Sequence, residues 1–116
     1  GNNNWLSIRY FEWNLISFLG FEPEIYYCIK CGEKIKEGKI FFSKKEGGIL
    51  CNKCFERGKK NEEIISRDIV KILRLFIHQD KKTLKRLKIT NDLECELKKI
   101  SHDYLEHIIQ EKLFVI

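Results

Sequence analysis

The sequence predicts a mainly α fold: a small helical domain with a β-hairpin inserted after its first helix and tied at its base by four cysteines. Three observations predict it. Apolar residues recur at helical spacing in three stretches, near residues 5–19, 69–78 and 91–112. Two short apolar runs, Ile40-Phe41-Phe42 and Ile49-Leu50, flank a turn containing Gly47-Gly48. Cys28-Ile29-Lys30-Cys31 and Cys51-Asn52-Lys53-Cys54 bracket that hairpin, with nineteen residues between the pairs. At 116 residues the chain has the length of one domain, read here as 1–116.

The first helix is read as Trp5 to Leu19, where ten of fifteen residues are apolar or aromatic. Ile8, Phe11, Leu15, Phe18 and Leu19 form one stripe at helical spacing, expected to be buried, while Trp5, Trp13 and Ile16 extend the apolar surface round the cylinder. A helix this apolar is expected to be the central one, with any uncovered surface facing a domain outside this chain. Gly20 stops it, and Pro23 marks chain that has left the helix. Phe21 to Tyr27 is a connector. Glu33 to Lys39 is polar and loop-like. Ile40 to Ser43 reads as a strand, Lys44 to Gly48 as a hairpin turn whose glycines supply positive φ, and Ile49-Leu50 as the return. Phe55 to Asn61 reads as a basic linker.

Ser66 is placed as the N-cap of a second helix, with Asp68 in the first turn and Ile65 and Val70 as a staple across the cap. Ile69, Ile72, Leu73, Phe76 and Ile77 form its stripe, through His78. Asp80 caps a short third helix carrying Lys81 to Lys88. A last helix runs from Asn91 to Lys112 with Leu93, Leu97, Ile100, Tyr104 and Ile108 on its buried face. Leu113 to Ile116 is a hydrophobic tail.

The doubled C-x2-C spacing is that of a four-cysteine zinc site. Two intervening residues let a tight turn aim both sulfurs at one point, and Gly32 supplies a residue free of Cβ restriction after the first pair. Cys28, Cys31, Cys51 and Cys54 are therefore the expected ligands of a structural Zn²⁺. Four thiolates on one dication leave a charge of about −2, which Lys30 and Lys53 are placed to offset. The alternatives are two disulfides or free thiols. Disulfides belong to oxidising compartments, and the chain shows neither the apolar segment nor the cleavage site of a secretory leader. A redox C-x2-C needs one pair beside a βαβ unit rather than two matched pairs.

Composition narrows the function classes. With 43% hydrophobic and 34% charged residues the chain is globular rather than disordered. A net charge of +5 permits contact with phosphate backbones or acidic partners. No apolar run has the length of a membrane span, and the expected location is cytoplasmic. Methionine and alanine are absent, and the opening Gly1-Asn2-Asn3-Asn4 reads as a fragment of a longer protein. Catalysis finds no support: four thiolates close a metal shell, whereas catalytic zinc keeps a position open. His102 and His107 are five apart and point in different directions, and Asp103 and His107 are spaced to touch as a surface pair. Cys95, between Glu94 and Glu96, sits where a thiol pKa rises, and is read as a half-buried helix residue. The basic residues form two groups, one on the metal segment that includes Lys44 and Lys45, the other Lys81, Lys82, Lys85, Arg86 and Lys88. Each is by default a solvated face; the functional reading is contact with nucleic-acid phosphate or an acidic peptide tail.

One ordered set of residues carries a resemblance. Arg9-Tyr10-Phe11-Glu12, Leu15, Leu19-Gly20-Phe21-Glu22-Pro23, Cys28-x-x-Cys31-Gly32, Phe42-Ser43 and Gly47-Gly48-Ile49-Leu50-Cys51-x-x-Cys54 resemble the C-terminal region of the RecO family of bacterial DNA-repair and recombination-mediator proteins. The matching stretch covers residues 9 to 54. The resemblance implies an N-terminal OB-fold domain that this chain lacks, followed by this helical region with its zinc finger (28–54). It implies binding of single- and double-stranded DNA, engagement of RecR and of the acidic tail of single-stranded DNA-binding protein, an indirect role in loading RecA, and no covalent chemistry. Some members lack the cysteines, so the zinc is expected to be structural. A rival reading is a zinc-ribbon accessory factor of transcription or translation, expected to bind nucleic acid strongly by itself. A thiol oxidoreductase would need a low-pKa cysteine that no feature supplies.

Overall fold

A computed structural model of the chain describes residues 4–113. Four helices enclose one core, and a three-stranded sheet with a cysteine-rich finger is inserted after the first. The helices are α1 (Asn4–Phe18), α2 (Arg67–Ile77), α3 (Lys81–Arg86) and α4 (Asn91–Ile108), and the strands are β1 (Ile40–Ser43), β2 (Gly48–Cys51) and β3 (Glu62–Ile65). Helix α1 lies against α2 and α4, and α2 also touches α3.

Helix α1 buries the face opposite to the expected stripe. Ile8, Phe11, Phe18 and Leu19 are exposed, Phe18 at 86%, and Leu15 is half-buried. Trp13 and Ile16 are fully buried instead. The reason is chemical: Trp13 has both a partner for its indole N–H and a ring to stack on. Nε1 donates to the Ser101 hydroxyl at 2.7 Å, and the indole stacks on Tyr104 with centroids 5.7 Å apart. Beside them Arg9 is buried and pairs with Glu12 at 2.7 Å.

The sheet has three strands rather than two. β1 is central, antiparallel to β2 (Phe41 opposite Leu50) and to β3 (Phe41 opposite Ile64). The stretch expected to be a linker is therefore ordered: Phe55 stacks on Phe41 at 3.6 Å, and the chain returns as β3. Cys28, Phe41 and Leu50, with Phe55 and Ile35 against them, form a second small core beneath the finger. Gly47 has φ +73, as a tight turn requires, whereas Gly48 is glycine for space. A Cβ there would lie 2.4 Å from Ile29 Cγ2 and 2.9 Å from the Glu24 carbonyl oxygen.

Helix α2 follows its expected signals. The Ser66 side chain accepts from the Ile69 amide at 3.2 Å, and Ile69, Ile72, Leu73 and Phe76 are buried. Asp80 caps α3, accepting from the Thr83 amide at 3.0 Å, and α3 ends at Arg86 rather than reaching Lys88. Helix α4 begins behind a Thr90 cap and buries Leu97, Ile100, Tyr104 and Ile108. It ends at Ile108, four residues short of the expected Lys112, and passes into a π-helical turn, Ile109–Leu113. The expected tail beyond Leu113 lies outside the described residues. Cys95 is exposed, not half-buried. Asp103 pairs with Lys99 at 3.4 Å rather than with His107.

Candidate metal centre

Two knuckles carry the four cysteines to one point. In the first, the Cys28 amide donates to the Glu33 carbonyl and the Gly32 amide to the Cys28 carbonyl, both at 2.8 Å, with Gly32 at φ +75. In the second, the Cys54 and Phe55 amides both donate to the Cys51 carbonyl at 3.1 Å. Register between β1 and β2 sets Cys51 opposite Ile40 at the base of the hairpin. The Ile29 amide donates to the Ile49 carbonyl at 3.0 Å, fastening the first knuckle to β2.

The result is a cluster whose sulfurs all lie within 4.8 Å of one another, with Cys31 and Cys51 sulfurs 4.0 Å apart. Sulfurs about 2.3 Å from a common ion at tetrahedral angles stand about 3.8 Å apart, so number, type and spacing fit a closed four-thiolate site. All four cysteines are free of disulfides. The electrostatics agree. Burial opposes ionisation of Cys28, but the backbone amides of Cys31, Cys51 and Lys30 outweigh it and bring its pKa down to about 6. Cys54 is pushed up to about 12, first by its hydrogen bond with Cys51, then by burial and its other sulfur neighbours. One thiolate forms readily and the next resist it, the condition a divalent cation removes. Lys30 lies beside the second knuckle, with Nζ 3.4 Å from the Cys54 carbonyl and from Glu56. Lys53 is exposed and has no ion pair among the described residues.

The basic candidates fall on separate surfaces. Lys81 and Lys85 flank a cavity of about 360 Å³ between α1 and α3, lined also by Leu6, Ser7, Tyr10 and Leu84. The Lys81 ammonium stands 5.3 Å from the Tyr10 ring centroid. Lys82 and Arg86 are exposed on α3, and Lys88 lines a smaller groove with Leu75, Leu87 and Leu93. Lys44 and Lys45 sit far along the chain at the hairpin turn, in a cavity shared with Tyr104, His107 and Lys112. His107 is half-buried and burial lowers its pKa. His102 contacts Arg9 at 3.2 Å and lies 3.7 Å from Glu12. Sequence reasoning missed Leu6 and Tyr10 as groove residues; their i, i+4 spacing marked a shared face, but not what that face meets.

Comparison with known proteins places this architecture. The family model described as "Recombination protein O C terminal" matches residues 1–113. The DNA repair protein RecO of Desulforamulus reducens is 32% identical over 111 residues, covering 96% of this chain and 43% of that protein. That of Caldicellulosiruptor saccharolyticus is 31% identical over 108 residues, with 93% and 43% covered. A Dehalococcoides mccartyi relative is 35% identical over 92 residues, with 79% and 36% covered. This chain thus spans less than half the length of the curated relatives it matches. No solved structure matches it.

Proposed function

The chain belongs to the Recombination protein O C-terminal family, and on that premise we propose that it is the zinc-stabilised scaffold and interaction portion of a DNA repair and homologous recombination mediator. In this reading Cys28, Cys31, Cys51 and Cys54 hold a structural Zn²⁺ that keeps the finger folded, and the chain performs no covalent chemistry. Its partners are RecR and the acidic C-terminal tail of single-stranded DNA-binding protein. Single- and double-stranded DNA engage mainly an OB-fold domain outside these residues, and RecA is served indirectly. The setting is the bacterial cytoplasm and nucleoid; no helix among the described residues is long and apolar enough to cross a membrane.

The observation that carries the reading is the groove between α1 and α3. Its floor is apolar (Leu6, Tyr10, Leu84) and its rim is cationic (Lys81, Lys85). A peptide that ends in an apolar residue and carries acidic side chains upstream matches both parts. Titration of an acidic, Phe-ending peptide into the chain tests this. Binding that weakens with salt and is lost in Lys81→Glu and Tyr10→Ala supports it. No binding by the folded chain overturns it. Strong, salt-dependent nucleic-acid binding without peptide binding would favour the zinc-ribbon accessory factor instead.

A further inference from the structure

The four thiols of the finger differ in their access to solvent. Cys28 is 1% exposed and packs with Phe41 and Leu50 in the second small core. Its sulfur also accepts the Cys51 amide at 3.5 Å. Cys51 and Cys54 are half-buried, and Cys31 alone of the four is exposed. The residue after Cys31 is Gly32. Its chain neighbours aside, no atom lies within 4 Å of the point where a side chain at Gly32 would begin. A reagent dissolved in water therefore meets the centre at Cys31, since reactivity of a thiol follows its exposure.

Cys31 also has a second sulfur at hand. Its Sγ stands 4.0 Å from that of Cys51, the last residue of β2, which the register with β1 fixes opposite Ile40. A disulfide is about 2.0 Å long, so the two sulfurs must close by about 2 Å. Cys31 is placed to supply that movement, because it lies on an exposed turn. Cys28 is the rival partner within the same knuckle. For its sulfur to swing out to Cys31 it would leave its place against Phe41 and Leu50 and strip the Cys51 amide of its acceptor. Both losses cost stability.

We propose that Cys31 is the oxidation-sensitive thiol of the finger: a hydroperoxide oxidises it, Cys51 closes a Cys31–Cys51 disulfide, and the finger gives up its metal. This rests on the zinc reading argued above and adds a reaction to that site. In the first step the Cys31 sulfur attacks the peroxide; an S–O bond forms, the O–O bond breaks, and hydroxide leaves. In the second the Cys51 sulfur attacks Cys31; the S–S bond forms, the S–O bond breaks, and a second hydroxide leaves. The two cysteines lose two electrons, the hydroperoxide gains them, and both hydroxides take up protons to become water. Cys28 and Cys54 then remain as two thiols where a closed site takes four ligands, so the ion is released. A dithiol reverses the change by exchange.

The test exposes the zinc-loaded chain to excess hydrogen peroxide. It carries Cys95→Ser, because Cys95 is a further exposed thiol, outside the cluster. A chromophoric zinc indicator follows release, and mass spectrometry of the unreduced digest maps the disulfide. One zinc should be released for each Cys31–Cys51 disulfide formed, and dithiothreitol should restore four thiols able to take zinc up again. Cys31→His should keep zinc, since three cysteines and a histidine also close a tetrahedral site. Its release should be slower by about tenfold or more, because the exposed sulfur is gone. Cys54→His keeps both reacting sulfurs and should stay within about twofold of the parent rate. Should either variant fail to hold zinc, the disulfide map of the parent decides. A first disulfide between Cys28 and Cys31, or between Cys51 and Cys54, overturns the proposal. So does release from Cys31→His as fast as from the parent. A chain that holds zinc and keeps it in peroxide contradicts this inference alone, whereas a reduced chain that never takes up zinc contradicts the metal reading beneath it.

Discussion

The indole N–H of Trp13 on α1 donates to the hydroxyl of Ser101 on α4 across 2.7 Å, with both side chains at 0% exposure. This buried polar contact fixes which face of α1 turns inward. Trp13→Phe should destabilise by about 2–4 kcal/mol, combining lost volume with an unpaired hydroxyl. Adding Ser101→Ala should recover about 1 kcal/mol, since it removes the orphaned group. Urea unfolding of the three variants measures both. A double variant less stable than Trp13→Phe would mean that the hydrogen bond does not select the face.

Gly48 is the seam between finger and connector. Gly48→Ala forces a Cβ against Ile29 and the Glu24 carbonyl and should cost about 1–3 kcal/mol. The nearer contact is a side-chain methyl, so Gly48→Ala combined with Ile29→Ala should be less damaging than the sum of the single changes. Additive losses in thermal unfolding would place the strain elsewhere.

Helices α1 and α2 end in the same hydrogen-bond pattern on different residues. At the end of α1, Gly20 (φ +93) donates to Ser17 and Phe21 to Ile16, both at 3.0 Å. At the end of α2, Gln79 (φ +57) donates to Phe76 and Asp80 to Leu75, at 3.1 and 3.0 Å. Gln79 tolerates the left-handed conformation while its side chain donates to Asn14 at 2.9 Å. Gln79→Gly should therefore lie within about 0.5 kcal/mol of the parent, trading relieved strain against a lost hydrogen bond. Gln79→Val should lose about 1–2 kcal/mol. Equal stability of the two variants by urea titration would contradict this.

Tyr104 binds three parts of the fold: its hydroxyl donates to the Phe21 carbonyl at 2.6 Å, and its ring meets Trp13 and the edge of Phe42. Burial raises its pKa from 10 to about 12. The folded state then holds this proton more tightly than the unfolded chain. Its contribution is intact below about pH 10 and falls away as pH rises toward 12, by at most about 2–3 kcal/mol. Stability curves of the parent and Tyr104→Phe should converge through that window. Parallel curves would mean that the phenol is not shielded.

The parts legible in the sequence obey one local rule each. Ser66 and Asp80 are capping residues with an apolar or basic turn behind them, and the α2 stripe repeats at one period, so both followed from neighbours alone. The cysteine pairs were legible because metal geometry constrains their spacing. The inner face of α1 was not, because apolar residues run almost all round it and only Ser101 and Tyr104, on a distant helix, choose between faces. β3 was not, because Glu62-Glu63-Ile64-Ile65 is a strand only through its register with β1. The Tyr10–Lys81 groove is likewise a product of tertiary placement.

The finger depends most on its metal. The finger's second core and both knuckles converge on four thiols whose joint ionisation an ion would stabilise. Metal analysis of the reduced, purified chain tests this most directly, with thermal unfolding before and after chelation. One zinc per chain is predicted, lost in Cys51→Ser, with chelation lowering the melting temperature and removing the Phe41–Phe55 stack. A metal-free chain that melts at the same temperature with or without chelator would contradict the account.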